Sequence, residues 1–413
     1  MRLPSAFIVL PSAFLLGCAT PRSHHAEAFF SGKLDESERL IRAAAERDAD
    51  AVDVLTLDRA SVLLARGEPR RAERLLRTVR DRWDYLEQPD AVESTASVAT
   101  DDRAKAYAGE EFERVLVRCL LAVCNLLDDG GDAYAYTLQA AAKEADLLDG
   151  GMTPVPAVPF LAGVVRDDLP LHAGEAKRHW GRFALLTEQR ARSVSEGGVQ
   201  LAAAEADSLA DASCSPLALP AGHGRVCVIC FVGRGPRKVA SRVEVGPSAG
   251  LVIEGVPVEA DLSVEVPAYI ASPNRVDAFE VTAGGRAFPT RPVLDVTDLA
   301  RRETDRLQDD RVKAAAARAA TKTAVLGGAA AVAEAADEEA LAVAALVALL
   351  ASRSAEECDL RHWSHLPDRI EAAFVPLPSG EGVVTVNGAE RPVSVRAGRT
   401  AYAFAWVTDA GVL

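Results

Sequence analysis

A chain of 413 residues, 49% hydrophobic and 26% charged, has globular composition and is long enough for two or three cores, which excludes a disordered or low-complexity protein. Its formal net charge of −14 and pI near 5.1 repel polyanions, so nucleic acid is excluded as a partner and anionic headgroups offer no foothold.

The N-terminus reads as an export signal. Met1-Arg2 gives a short positive start, and Leu3 to Leu16 carries no charge. That run is shorter than the roughly 20 apolar residues of a spanning helix, and Pro4 and Pro11 interrupt it. Leu15-Leu16-Gly17-Cys18 resembles the bacterial lipobox, which implies acylation and cleavage at Cys18, with Ala19 pointing to the outer membrane. On this reading residues 1–18 are a signal peptide and 19–26 a tether, and the chain is a lipid-anchored protein of the bacterial cell envelope facing the periplasm.

The N-terminal half is helical. "GKLDESERLIR" (32–42) aligns with "GEPRRAERLLR" (67–77) at an offset of 35 residues, close to the 34 of the tetratricopeptide repeat. In each copy the glycine ends one helix, Ser37 or Ala72 admits a close neighbour, and Ile41 or Leu76 fills the seam. A third helical pair is expected over 110–127 and 132–148, and a weaker one after the Pro-rich 153–163, at 175–186. The polar stretch 87–105 reads as a long loop. These elements predict a tetratricopeptide-like repeat domain over 27–212.

From Ser213 onward β-branched runs dominate, predicting a β-rich, sandwich-like domain over 213–413 and an α+β fold for the whole. Strands are expected at Val226–Val232, Val239–Val245, Asp261–Val266, Arg275–Val281 and Ile370–Leu377. A helical insertion is expected over about 296–356, with Thr297 as cap and Asp298 in its first turn. Its alanine-rich segments 324–333 and 340–351 are each half a membrane span and read as a buried helical pair. Asn387-Gly388 between alternating runs signals a type I′ hairpin, and 400–407 a strand that closes the sheet.

Four segments carry a family resemblance: "YAGEEFERVLV" (107–117), "PFLAG" (159–163), "GRGPRKV" (233–239) and "DLRHWSHLPDRIEAAFVPLPSGEGVVTV" (359–386). Through them the chain resembles bacterial outer-membrane lipoproteins with tetratricopeptide-like repeats and a β-rich C-terminal domain. That family's function is not established, so the resemblance implies architecture and location and no chemistry.

Chemical motifs give little more. Cys119, Cys124, Cys214, Cys227, Cys230 and Cys358 remain once the signal is gone, and the spacings within 119/124 and 227/230 put partners on different sides of a helix or strand, so buried free thiols are expected. Gly246-Pro247-Ser248-Ala249-Gly250 matches G-x-S-x-G, but no helix start follows, so a turn between strands is expected and Ser248 carries no hydrolytic role. Cys358, His362 and His365 have zinc-like spacing without a visible fourth ligand, and Pro367 ends any helix there, so no metal site and no cofactor are assigned. "GRGPRK" (233–238) lacks G-K-[ST] and reads as a basic hairpin loop, with Arg234, Arg237 and Lys238 offering a contact surface to an anionic partner.

The expected function is a non-enzymatic scaffold that recruits a protein or peptide partner. The alternative is an envelope enzyme, or a glycan- or small-ligand-binding protein, with its site in the β-rich domain.

Overall fold

The computed structural model describes residues 23–88, 106–196, 219–244, 249–253, 256–260, 263–276, 278–334 and 358–413. Cys18, Ser248, Cys214, the boundary at Ala212-Ser213 and the second alanine-rich segment lie outside them.

The fold is α+β, with helices filling the N-terminal half and sheets the C-terminal region. The helices are α1 (His24–Phe30), α2 (Leu34–Ala45), α3 (Val52–Ala65), α4 (Pro69–Leu86), α5 (Glu111–Asp128), α6 (Ala133–Leu148), α7 (Ala157–Asp167) and α8 (Ala173–Glu196), most of them packed on their neighbours in sequence. The two aligned stretches share several local features. Gly32 and Gly67 take φ of 77° and 73°, a left-handed conformation that favours glycine. In both, the next residue's N–H returns to the preceding helix, Lys33 to Ala28 O and Glu68 to Leu63 O, each at 2.9 Å, closing a Schellman-type stop. Ser37 and Ala72 are fully buried, as are Ile41 and Leu76. Glu38 and Glu73 are buried too, each held by an arginine one turn on, Arg42 at 2.7 Å and Arg77 at 2.6 Å. The Pro-rich stretch 153–163, not itself expected to be helical, holds the start of α7, since Pro156 precedes the helix and Pro159 falls in its first turn, where no intrahelical N–H is lost.

A five-stranded sheet has the order β13 (Gly411–Val412), β12 (Thr400–Thr408), β1 (His223–Val232), β9 (Arg369–Pro378), β8 (Arg291–Asp295). A four-stranded sheet has β11 (Ala389–Val395), β10 (Gly380–Val386), β6 (Val281–Ala283), β7 (Arg286–Phe288). Strand β1 is central, parallel to β12 and antiparallel to β9. Alternate side chains of β1 enter different cores. Val226, Val228, Cys230 and Val232 meet Val281, Val384, Val386 and Val393 of the four-stranded sheet. Cys227, Ile229 and Phe231 face the helices, in one continuous core with Leu116, Leu120, Phe160 and Trp363. Both faces are therefore dry, which explains the unbroken apolar run "RVCVICFV". The division at residue 213 suggested by composition does not divide the core.

Other expectations change in detail. Helix α1 begins at His24, so residues 24–26 belong to it and not to a tether. Strand β2 (Arg237–Glu244) leaves the main sheet to pair with β5 (Ser263–Ile270), so "GRGPRK" crosses between sheets and is not a hairpin loop. Residues 275, 276 and 278–280 are not strand; pairing starts at Val281. The long helix α9 (Val296–Glu334) is capped by Asp295, whose Oδ1 accepts the Asp298 N–H at 2.8 Å, while the Thr297 hydroxyl is taken by Asp368 at 2.5 Å. Asn387 and Gly388, with φ of 47° and 87°, form the expected type I′ turn between β10 and β11.

Candidate functional site

The four stretches that carry the family resemblance are far apart in sequence, and three of them meet at one buried junction. The segment 359–368 threads between α3 and α5 before entering β9. It has no regular structure, so its backbone polar groups need side-chain partners. Two buried carboxylates supply them.

Glu113, fully buried on α5, is the first. Its Oε2 accepts the Tyr107 hydroxyl at 2.6 Å and the Glu110 N–H at 3.0 Å, completing a capping box with Glu110. Its Oε1 accepts the Trp363 N–H at 2.9 Å and the Tyr269 hydroxyl at 3.4 Å. Burial, then the neighbouring Glu110, push its carboxyl above the usual range. Glu110 behaves oppositely. Burial works against its ionised form, but Lys238 at 2.5 Å and Arg311 at 2.6 Å more than offset this and bring it down to about 2. A depressed carboxylate stabilises the fold above its unfolded pKa near 4.3, and that contribution disappears as pH falls through about 2. Glu110→Gln is accordingly expected to flatten the acid side of the stability–pH curve by about 3 kcal/mol between roughly pH 4.5 and 2. Urea titrations of both proteins at several pH values measure this; parallel curves would refute it.

Asp58 on α3 is the second carboxylate and is also fully buried. Its Oδ1 accepts the His365 N–H at 2.8 Å, and its Oδ2 accepts the Ser364 hydroxyl at 2.6 Å and meets His25 Nε2 at 2.9 Å. Burial opposes its ionisation, but His365, His25 and Ser364 hold it down to about 2. Its backbone carbonyl accepts from His365 Nδ1 at 2.9 Å. His365 itself is fully buried, stacked on Phe29 at 4.3 Å, and burial lowers it to about 4. With Nδ1 donating, Nε2 is the lone-pair nitrogen, and it has no hydrogen-bond partner.

Serine, histidine and aspartate thus meet, but not as a nucleophilic triad. Ser364 Oγ and Asp58 Oδ2 both approach the same nitrogen, His25 Nε2, at 3.1 and 2.9 Å, and the serine's proton already goes to the aspartate. A triad needs the acid on the far nitrogen of the imidazole. A cavity between α5, α7 and the five-stranded sheet measures about 30 Å³ and is lined by Leu116, Phe160, Phe231, Trp406 and, from the junction, Trp363 and His365. It has room for about one water.

The residues singled out from the sequence are placed as follows. Lys238 is buried on Glu110 and Arg361 O, and Arg234 pairs with Glu27 at 2.8 Å, which leaves Arg237 as the exposed member of the expected contact loop. Gly235 is needed for close backbone approach: its N–H donates to Leu366 O at 2.8 Å, and a Cβ there would lie 2.5 Å from that oxygen. Gly235→Ala is therefore expected to destabilise the protein by about 1–3 kcal/mol, read by urea denaturation, against no loss for Gly174→Ala, where a Cβ meets nothing within 4 Å. "GRGPRK" is a buried crossing and not a phosphate cradle. Residues 249–253 form strand β3, paired with β4 (Val256–Ala260), so no helix follows Ser248 as a nucleophile elbow requires. Cys119, Cys124, Cys227 and Cys230 are buried free thiols, the last two on opposite faces of β1. Cys358 and His362 do not join His365: the His362 Nδ1 bonds Leu360 O at 2.9 Å.

His25 and Asp58 were not singled out from the sequence. His25 lay in the supposed tether. Asp58 did leave a signal, the one acid in the mostly apolar "VLTLDRASVLL", where helical spacing puts it on the same face as Leu55 and Val62. Among the described residues no helix is long and apolar enough to cross a membrane. Comparison of the chain with protein-family models, with curated proteins and with solved structures finds no match.

Proposed function

We propose that the protein is a non-enzymatic scaffold of the bacterial cell envelope, anchored through lipid at Cys18 to the periplasmic face of the outer membrane, whose tetratricopeptide-like helical pairs recruit a protein or peptide partner. The observation that carries the reading is the correspondence of the two helix–glycine–helix units, extending to their buried Glu–Arg pairs. Stacked units of this kind offer a continuous surface to a partner. The equivalent Arg39 and Arg74, on α2 and α4, are both exposed, and Tyr85 on α4 is 70% exposed. Arginine and tyrosine are the residue types that concentrate binding energy at interfaces.

Photo-crosslinking amino acids at positions 39, 74 and 85, compared with positions 286 and 383 on the four-stranded sheet, test this in cells. One discrete adduct from the helical positions alone is expected. Adducts from the sheet positions alone, or none, would overturn the reading. Cys18→Ser is expected to leave the membrane fraction or remain unprocessed; a serine variant that fractionates with mature wild type removes the anchor from the proposal.

The alternative, a ligand-binding or enzymatic β-rich half, has a specific place to reside. A groove of about 320 Å³ runs between β5 and α9, lined by Ser241, Pro267, Ile270, Arg301, Asp305 and Gln308.

A further inference from the structure

We propose that His25, Asp58 and His365 form a binding site for a divalent transition-metal ion of the zinc class. Each offers one ligand atom, and the three lie within 4.8 Å of one another. Among the described residues no other trio of histidine, cysteine, aspartate or glutamate brings ligand atoms this close. Two imidazoles and a carboxylate are the ligand chemistry zinc takes, with bonds of about 2.0–2.2 Å, so closing on an ion needs movements of about 1 Å.

Three further observations point the same way. The supporting shell is in place: Asp58 is oriented by the His365 N–H and the Ser364 hydroxyl, and His365 donates Nδ1–H to a backbone carbonyl, the contact that fixes a metal-binding tautomer. The other nitrogen of His365 is buried without a partner, and a lone pair left so in a protein interior ordinarily meets a water or an ion. Lastly, the Asp58 side chain is bonded by an imidazole, a hydroxyl and a backbone N–H and by no arginine or lysine, so an entering cation displaces no fixed positive charge. Ser364 Oγ, 2.6 Å from Asp58 Oδ2, or a water would complete four-coordination.

Cobalt(II) and zinc titrations of the untagged protein, after chelator treatment, test the site. One equivalent of cobalt is expected to give visible ligand-field bands of a four-coordinate N/O site, zinc is expected to displace it, and zinc is expected to raise the thermal midpoint. His25→Gln, at the partly exposed edge, keeps a donor to Asp58 and is expected to weaken binding at least tenfold, while Cys358→Ala leaves it unchanged. Absence of both bands and midpoint shift in wild type would overturn the proposal. So would undiminished binding in His25→Gln, or binding lost in Cys358→Ala, which would assign the metal to the 358/362/365 spacing instead. The outcome is independent of the crosslinking test of the scaffold.

Discussion

Residues 19–212 and 213–413, produced as separate polypeptides, are expected to be poorly structured and prone to aggregate, and to recover cooperative unfolding only when co-expressed. The reason is the shared core. Separation would bare Cys227, Ile229, Phe231, Ala372 and Trp406 on the sheet, and Leu116, Leu120 and Phe160 on the helices. Each large apolar side chain returned to water costs about 1.5–3 kcal/mol, so those on the two sides together rival the 5–15 kcal/mol that ordinarily separates folded from unfolded. Near-ultraviolet circular dichroism and the tryptophan emission maximum of each half report the result. A helical half that melts cooperatively alone would restore the two-domain organisation that composition suggests.

Asp58→Ala is expected to cost about 3–5 kcal/mol in chemical denaturation without added metal, the range for stripping one partner from a buried charged network. The substitution leaves the His365 N–H and the Ser364 hydroxyl without acceptors and frees His25 from α3. Asp58→Asn retains an oxygen acceptor and should lose less. A cycle with Ser364→Ala should give a coupling of about 0.5–3 kcal/mol. If Asp58→Ala unfolds within 1 kcal/mol of wild type, the junction is not what holds α1 to the body.

What the sequence revealed depended on how local the cause was. The stops at Gly32 and Gly67, the Asn387-Gly388 turn and the doubly buried β1 each follow from a few consecutive residues. The parallel pairing of β1 with β12 does not, because its partners lie some 175 positions apart, as Arg225 does from Thr400, and only packing selects them. The α9 cap was misread by two residues because Asp295 and Thr297 could both serve, and distant Asp368 decides between them by claiming the Thr297 hydroxyl. Residues 275–280 have strand-like composition, yet Asn274 is bonded to Arg234 and the Arg275 N–H to Asp409, which hold the chain away from a ladder. The Asp58 junction is the extreme case. Its members come from positions 25, 58, 364 and 365, so no local pattern could display it.

Helix α1 has a mechanical consequence. With Cys18 anchored in the periplasmic leaflet as proposed, only Ala19 to Ser23 separate the lipid from the helix, a leash of at most ~17 Å at ~3.4 Å per residue. A tug on that leash is not absorbed by a slack end. It arrives at Phe29, wedged against His365 and Trp406, and at His25, and is divided at once between α3 and the five-stranded sheet. Drag from a captured partner would therefore be resisted by the whole body, and detachment would begin with α1 peeling away.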